Sequence, residues 1–229
     1  DFINRITPLL QEYTAVSVRE RTHILAKLNI PTTQVLDPVF LLNRQQWKNI
    51  ISDEPIVKGK YILCYLLGYS FDPFPYAYDI IRKIKKQTGY KVVMIGGEPL
   101  NILKGYQLLN ECGPAEFLNL FYYSSFVITS SFHGTAFSIN FGKKFVSFAA
   151  PKFNSRLLSI LSLFGLEERF MEGFTGDCSL IDKEIDYKEL YEKFQVDLKK
   201  AQEANRKTDA SINQPADPTK HLLDIFASY

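Results

Sequence analysis

A histidine flanked by small and hydroxyl residues follows an apolar stretch in the second half of the chain. The stretch Phe126–Thr129 predicts a buried strand, and it runs directly into Ser-Ser-Phe-His133-Gly. Loops at the carboxyl ends of parallel strands bind ligands, and the N–H groups of the next helix attract anions. A bound anion would favour the protonated imidazole, so His133 is a candidate proton donor. A structural histidine at a turn is the second interpretation, and the residues leave both open.

The neighbours of His133 predict the rest of a small anion site. A glycine beside the histidine would allow close backbone approach, and small residues begin the following helix. We predict substrate binding by four residues of this segment: Ser130, Ser131, Gly134 and Thr135.

Two arginines stand where they could bind an acidic substrate. Arg19 follows a predicted short strand, and a guanidinium grips carboxylate or phosphate through two parallel hydrogen bonds. Taken alone, Arg19 also fits an ordinary surface residue. Arg156 lies in the first turn of a predicted helix, where its charge opposes the helix dipole, so an anionic partner would explain it. Asn154 fits a plain N-cap of that helix, and we also include it among the predicted substrate ligands.

Two further loops at predicted strand ends carry glycines. Gly68 follows the strand 61–67 and Gly97 follows the strand 91–95, and both are predicted to approach the substrate. The sequence contains no phosphate-binding loop that ends in Lys-Ser or Lys-Thr, and no G-x-S-x-G nucleophile motif. No His, Cys, Asp or Glu residues stand at metal-ligand spacing, so no metal site is predicted.

Short apolar strands alternate with helices and would position these loops. The predicted strands are 61–67, 91–95, 126–129 and 145–148, and the predicted helices are 75–87, 114–122, 134–141 and 154–164. Such alternation predicts an α/β fold with a Rossmann-like parallel sheet that is covered on both faces.

A polar stretch divides the predicted elements. Residues 52–60 combine Pro, Gly and charged residues with little apolar content, which is typical of a linker. We predict that residues 1–52 are the remnant of an N-terminal Rossmann-like domain, and that residues 60–185 form a C-terminal one. Residues 186–229 are predicted to form a C-terminal helix and tail. The chain begins with Asp1 in helix-like sequence, so we expect the first strands of the N-terminal domain to be absent.

Composition restricts the class of protein. The chain has 229 residues, of which 46% are hydrophobic and 23% charged, so it can pack a core and is not disordered throughout. Its net charge of +2 disfavours non-specific nucleic-acid binding, and no nucleic-acid partner is predicted. Three cysteines without paired spacing indicate a reducing compartment. The longest apolar stretch, 61–67, is too short to span a membrane.

Several motifs, in order, resemble the polysaccharide pyruvyl transferase family. They are Ala15-Val-Ser-Val-Arg-Glu20, Leu36-Asp-Pro-Val-Phe-Leu-Leu42 with Trp47, Gly113-Pro-Ala-Glu-Phe117, Val127-Ile-Thr-Ser-Ser-Phe-His-Gly-Thr-Ala-Phe-Ser138 and Asn154-Ser-Arg156. The resemblance covers roughly residues 10 to 170, and the Ser-Phe-His-Gly segment with the downstream Asn-Ser-Arg is its most specific part.

The resemblance implies a GT-B-like arrangement, in which two Rossmann-like domains hold the substrate between them. Family members transfer pyruvate from phosphoenolpyruvate to a pair of sugar hydroxyls, forming a ketal in surface or capsular polysaccharide synthesis and releasing phosphate. His133 and Arg19 match positions that the family would use for phosphoenolpyruvate, and Arg156 is a looser match.

The implied partners are phosphoenolpyruvate and a sugar or lipid-linked glycan acceptor, and no cofactor is implied. The implied location is cytoplasmic, with peripheral contact to the inner face of the membrane.

Two other functions remain open at the level of sequence. A nucleotide-sugar glycosyltransferase could use the same sheet and cleft. A non-catalytic carbohydrate-binding module would fit the shortened N-terminus and the many aromatic residues. Of these aromatics, Tyr122, Tyr123, Phe126 and Phe132 are predicted to fill the core.

Overall fold

The computed structural model describes residues 2–14, 16–18, 30–34, 36–67, 74–96, 105–148, 154–172, 179–190 and 192. The chain divides into two compact units, Asp1–Ile185 and Asp186–Tyr229. In the second unit, the amide of Glu189 donates to the side chain of Asp186, which begins a helical segment. The predicted domain boundary at residues 52–60 and the rest of the tail stay predictions.

Six strands of the first unit form one parallel sheet. They are β3 (Tyr61–Tyr65), β4 (Lys91–Ile95), β5 (Tyr106–Leu109), β6 (Phe126–Thr129), β7 (Phe145–Phe148) and β8 (Phe170–Met171). They lie in the order β5-β4-β3-β6-β7-β8, and every neighbouring pair is parallel. This is the strand order of a Rossmann fold, which confirms the predicted α/β class. Two short strands, β1 (Ser17–Val18) and β2 (Thr33–Gln34), form a separate parallel pair.

Helices connect the strands. They are α1 (Phe2–Gln11), α2 (Arg44–Lys48), α3 (Phe74–Thr88), α4 (Pro114–Tyr123), α5 (Phe132–Asn140), α6 (Ser155–Phe164) and α7 (Ser179–Asp182). Local chemistry fixes several ends: Asn43 and Gln46 form a reciprocal capping box at α2, and α6 ends at Gly165 in the left-handed region. Among the described helices, none has the length and apolar character needed to cross a membrane.

The edge strands β5 and β8 were not predicted. β5 has the sequence YQLL with only half-buried apolar residues, and β8 has two residues. Patterns this short do not distinguish a strand from a loop. The parallel pairing of β5 with β4 and of β8 with β7 makes these segments strands.

The direction in which the chain crosses the sheet reverses between β3 and β6. From β3 the chain moves outward through β4 and β5, and then returns to the other side of β3 for β6, β7 and β8. At such a switch point the loops at the strands' carboxyl ends diverge and leave a crevice, which is where open α/β sheets bind ligands. The segment that carries His133 directly follows β6, so it lies at this switch point.

Both faces of the sheet are covered by packed side chains. On one face, Ile62 and Cys64 of β3 and Ile128 of β6 pack against the buried residues of α3. On the other face, Tyr61 donates its hydroxyl to the carbonyl of Leu120 in α4 at 2.6 Å. An aromatic layer continues from there, with these ring pairs at 4.7–6.3 Å: Tyr65 with Phe117, Phe117 with Phe121, Phe121 with Phe137, and Phe137 with Phe141. Because both faces are buried, the central strands β3 and β6 carry apolar residues on both faces rather than in alternation.

The aromatics predicted to fill the core divide into two groups. Phe126 is buried in the sheet, whereas Tyr122, Tyr123 and Phe132 are half-buried. The ring of Tyr122 makes a cation–π contact, since the guanidinium of Arg44 lies 4.9 Å from its centroid.

A buried lysine ties the end of α4 to the turn before β7. The ammonium of Lys143 donates to the carbonyls of Tyr122 and Ser124, which end α4 and would otherwise lack partners. Burial lowers the pKa of Lys143 to about 8, and the nearby Arg44 charge adds to the decrease. The neutral amine keeps two N–H groups, so both carbonyls can still be satisfied after the proton is lost.

This pKa shift predicts stability that increases with pH. Between pH 8 and 10.5 the unfolded chain still holds the Lys143 proton and the folded chain has released it. The unfolded state then binds more protons, so the free energy of unfolding rises with pH. In urea titrations, we expect the wild type to gain about 1–3 kcal/mol over this range relative to Lys143→Met. If the free energy of unfolding changed with pH in the same way in both proteins, the lowered pKa of Lys143 would be contradicted.

Candidate functional site

Hydroxyl groups tie the loop after β6 to the end of β3. Thr129 donates its hydroxyl to the carbonyl of Tyr65 at 2.8 Å and accepts from the amide of Ser131 at 3.0 Å. The Ser130 hydroxyl accepts from the amide of Leu67 at 2.8 Å. These bonds join the two loops that flank the switch point, so they fix the backbone from which His133 projects.

Three of the predicted ligands build this loop from inside the protein. The Ser131 side chain caps α5 by accepting from the amide of Gly134 at 3.3 Å. Gly134 packs so closely on β6 that an added Cβ would lie 2.3 Å from the hydroxyl oxygen of Thr129. The hydroxyl of Thr135 is buried 2.7 Å from that of Ser147. The close approach at Gly134 is therefore to a side chain of the protein, and binding of substrate by Gly134 stays a prediction.

His133 is exposed and lies next to a buried carboxylate. It is the second residue of α5, and 55% of its side-chain surface is accessible. Its Nε2 lies 4.0 Å from Oδ2 of Asp37, whose side chain is only 3% exposed. The imidazole can therefore meet a substrate while the carboxylate behind it cannot. An exposed imidazole in this setting is suited to proton transfer.

A short turn that is bound to α5 places Asp37 beside the histidine. Asp37 caps the 3-10 turn Pro38–Leu41 by accepting from the amide of Val39 at 3.1 Å. Asn140, at the end of α5, donates to the carbonyls of Val39 at 3.0 Å and Leu42 at 2.9 Å. The indole N–H of Trp47 donates to the Val39 carbonyl at 2.9 Å. The turn and the helix that carries His133 are thus held together by hydrogen bonds.

The bonds from Asn140 predict a loss of stability on substitution. Asn140→Ala removes both hydrogen bonds, so the Leu42 carbonyl loses its Asn140 donor and the Val39 carbonyl keeps the indole of Trp47. This should lower the free energy of unfolding by about 1–3 kcal/mol in urea. Asn119→Ala is the matched comparison, because Asn119 binds the carbonyls of Ser52 and Glu54 in a similar way. We expect both variants to lose stability to a similar degree. Unchanged stability of Asn140→Ala would show that these bonds do not hold the turn on α5.

A comparison with protein families assigns this arrangement. The family model described as polysaccharide pyruvyl transferase matches residues 2–150, which is more than half of the chain and includes Asp37 and His133. The chain belongs to this family. Its members are transferases, and the match confirms the resemblance stated above. A search of curated proteins returned no match.

In this member of the family, Asn154 and Arg156 lie beyond the matched residues, at the start of α6. Asn154 holds the N-cap position, but its side chain makes no capping hydrogen bond, which corrects the prediction of a plain N-cap. The reason is its backbone, which is helical (φ −79°, ψ −11°) rather than extended as in side-chain caps. Its buried Oδ1 has no hydrogen-bond partner within the described part of the chain.

The start of α6 and the start of α5 lie at the same edge of the sheet. β6 and β7 are parallel neighbours, and each helix follows the carboxyl end of its strand. Asn154 and Arg156 therefore share the carboxyl edge with His133. Whether they bind substrate stays a prediction.

Three predicted site residues, Arg19, Gly68 and Gly97, lie outside the described residues, and their roles stay predictions. The described residues include no group of three or more His, Cys, Asp or Glu side chains that could hold a metal ion.

Asp37 is the site residue that the sequence did not reveal. In the sequence, Asp37-Pro38 stands out only as part of a family motif. An Asp before Pro is also typical of a side-chain cap, which the structure confirms. Its proximity to His133 depends on how the turn packs on α5, and no spacing in the sequence encodes that.

Proposed function

We propose that this chain transfers a pyruvyl group from phosphoenolpyruvate to a pair of sugar hydroxyls, with His133 as the general acid. The observation that carries the proposal is the exposed imidazole of His133 at the sheet's switch point, in a chain of the pyruvyl transferase family. The acceptor in this proposal is a sugar or lipid-linked glycan, and contact with a membrane surface would follow from a lipid-linked acceptor.

The proposed chemistry begins with a proton. The His133 imidazolium protonates the methylene carbon of phosphoenolpyruvate, and the neighbouring carbon becomes an oxocarbenium-like centre. One sugar hydroxyl adds to that carbon and gives up its proton, and the C–O bond to phosphate then breaks. The second hydroxyl adds to the same carbon and loses its proton, which closes the ketal ring. One of the released protons restores the imidazolium and the other goes to the departing phosphate, so hydrogen phosphate is the second product.

The proposal assigns the binding of the donor's charges to guanidinium groups. The first-turn amides of Gly134 and Thr135 already donate to Ser131, so they are not available to an anion. We propose Arg19 and Arg156 as the partners of the carboxylate and phosphate, because arginine binds both groups through paired hydrogen bonds. Asn154 is proposed as a further ligand, since it begins α6 at the same edge of the sheet as the segment that carries His133.

Ligand binding separates this function from that of a nucleotide-sugar glycosyltransferase. A ligand at 100 times its Kd stabilises the folded state by about 2.7 kcal/mol, which raises the melting temperature. We expect a rise with phosphoenolpyruvate and none with nucleotide sugars. A rise with nucleotide sugars and none with phosphoenolpyruvate would show that the donor is a nucleotide sugar.

Product analysis tests the reaction itself. Phosphoenolpyruvate labelled with ¹³C at the carbon that carries the phosphate would be incubated with methyl hexosides that offer different hydroxyl pairs. We expect inorganic phosphate and a labelled ketal carbon to form together. Binding of glycans without either product would favour a carbohydrate-binding module.

A further inference from the structure

We propose that Asp37 is a positioning residue for His133, holding the imidazole in one orientation and one tautomer for proton transfer. This inference rests on the proposed function and adds to it a residue from a different segment of the chain. In the proposed arrangement Asp37 faces Nε2, and the other ring nitrogen, Nδ1, delivers the proton to the substrate.

Burial separates the roles of the two side chains. Asp37 is 3% exposed and His133 is 55% exposed, so a substrate can touch the imidazole but not the carboxylate. A base that deprotonates a sugar hydroxyl must lie within hydrogen-bond reach of it, which excludes Asp37 from that role. A buried carboxylate behind an exposed imidazole instead fixes the ring and its tautomer, as in catalytic triads.

The separation of 4.0 Å between Nε2 and Oδ2 is about one ångström longer than a hydrogen bond. Catalytic hydrogen bonds are often long before substrate binds and shorten in the complex. The imidazole is the partner that moves to close this distance, because it is exposed and the carboxylate is fixed. Asp37 is fixed by its bond to the amide of Val39, and the turn is fixed on α5 by Asn140.

Asp37→Asn tests the charge without removing the cap. Asparagine is isosteric with aspartate, and its oxygen can still accept from the Val39 amide. We expect kcat for phosphate release to fall by about 10- to 100-fold with little change in KM, which is less than the full general-acid effect of about 10²–10⁴. Asp53→Asn is the control, because Asp53 is fully exposed and pairs only with Lys48 among the described residues. This control should keep wild-type kinetics.

A double variant distinguishes positioning from a general effect on the fold. If Asp37 acts through His133, then Asp37→Asn changes nothing further in a His133→Gln background, because residues that act as a unit are not additive. If Asp37→Asn lowered kcat by the same factor in the wild-type and His133→Gln backgrounds, the proposal would be overturned. If Asp37→Asn does not fold, Asp37→Ser keeps a hydroxyl cap and takes its place in the same cycle.

A spectroscopic measurement tests the pair independently of turnover. The chain has three histidines, and ¹⁵N spectra of their rings, with His133 assigned by loss of its signals in His133→Gln, report which ring nitrogen carries the proton. In the neutral ring we expect Nε2–H to predominate in the wild type. We expect Nδ1–H to increase in Asp37→Asn, because an asparagine whose oxygen accepts from the Val39 amide turns its NH2 group towards Nε2.

Unchanged ring spectra would overturn the role of Asp37. A changed spectrum in a protein that releases no phosphate from phosphoenolpyruvate would support the pair and overturn only the proposed function.

Discussion

His133→Gln should lower the rate of phosphate release from phosphoenolpyruvate by about 10²–10⁴-fold, the range that general acid catalysis contributes. The proton at the methylene carbon starts the proposed reaction, and glutamine has no transferable proton near neutral pH. Steady-state kinetics with a phosphate-detecting assay measures the effect. Binding of phosphoenolpyruvate should change far less than kcat, because the arginines are proposed to bind its charges.

The fold should tolerate this substitution. The His133 side chain is more than half exposed and its ring contact within the described residues is with Phe132, so the free energy of unfolding should stay within about 0.5 kcal/mol. Arg82→Gln on α3 is a control for loss of an exposed cation, since Arg82 pairs with Asp79 on the surface. Near-normal turnover in His133→Gln would remove the acid role from His133.

Gly134→Ala should destabilise the protein by about 1–3 kcal/mol, the usual result of inserting a methyl group into a packed site. The direction of this change in stability is informative, because alanine in place of glycine inside a helix normally stabilises the protein by about 1 kcal/mol. Here the new Cβ would lie 2.3 Å from the hydroxyl oxygen of Thr129 and 3.0 Å from its Cβ. The start of α5 must move to relieve this overlap. Since His133 is the preceding residue, kcat should fall as well, and a displacement of about 1 Å can cost about 100-fold.

Two variants control the interpretation of Gly134→Ala. At Gly113 a new Cβ meets only the flexible carboxylate of Glu116, so Gly113→Ala should cost less and leave kcat unchanged. Thr129→Ala removes the group that the new methyl strikes, so the double variant with Gly134→Ala should lose about 0.5–3 kcal/mol less than the sum of the single variants. Urea titration measures all four proteins. Strict additivity, or a stabilised Gly134→Ala, would show that the close contact does not limit this position.

The sequence predicted the central fold because its strands are buried on both faces. Stretches such as 61–65 and 126–128 are continuously apolar, and each is followed by a helical pattern. That combination has few alternatives to a parallel α/β sheet. The edge strands β5 and β8 lack this signal, because an edge strand needs less apolar surface and is defined mainly by its backbone pairing.

The sequence also predicted where chemistry could occur. Parallel sheets bind ligands at the carboxyl ends of their strands, so the order of strands and helices is enough to select the loops. It selected the loop with His133, but it could not divide that loop into groups that face solvent and groups that hold the loop together. Ser131, Gly134 and Thr135 have suitable chemistry for a ligand and are nevertheless used within the protein.

What the sequence by itself determined is the class of sheet, the family resemblance and a single histidine at the end of a strand. Only the tertiary structure decided that Asp37 lies beside this histidine, and that the two have unequal access to solvent. The physical reason is the range of the interactions involved. Periodicity and capping act over a few neighbouring residues, whereas the contact of Asp37 with His133 depends on Asn140 and Trp47 binding a distant turn to α5.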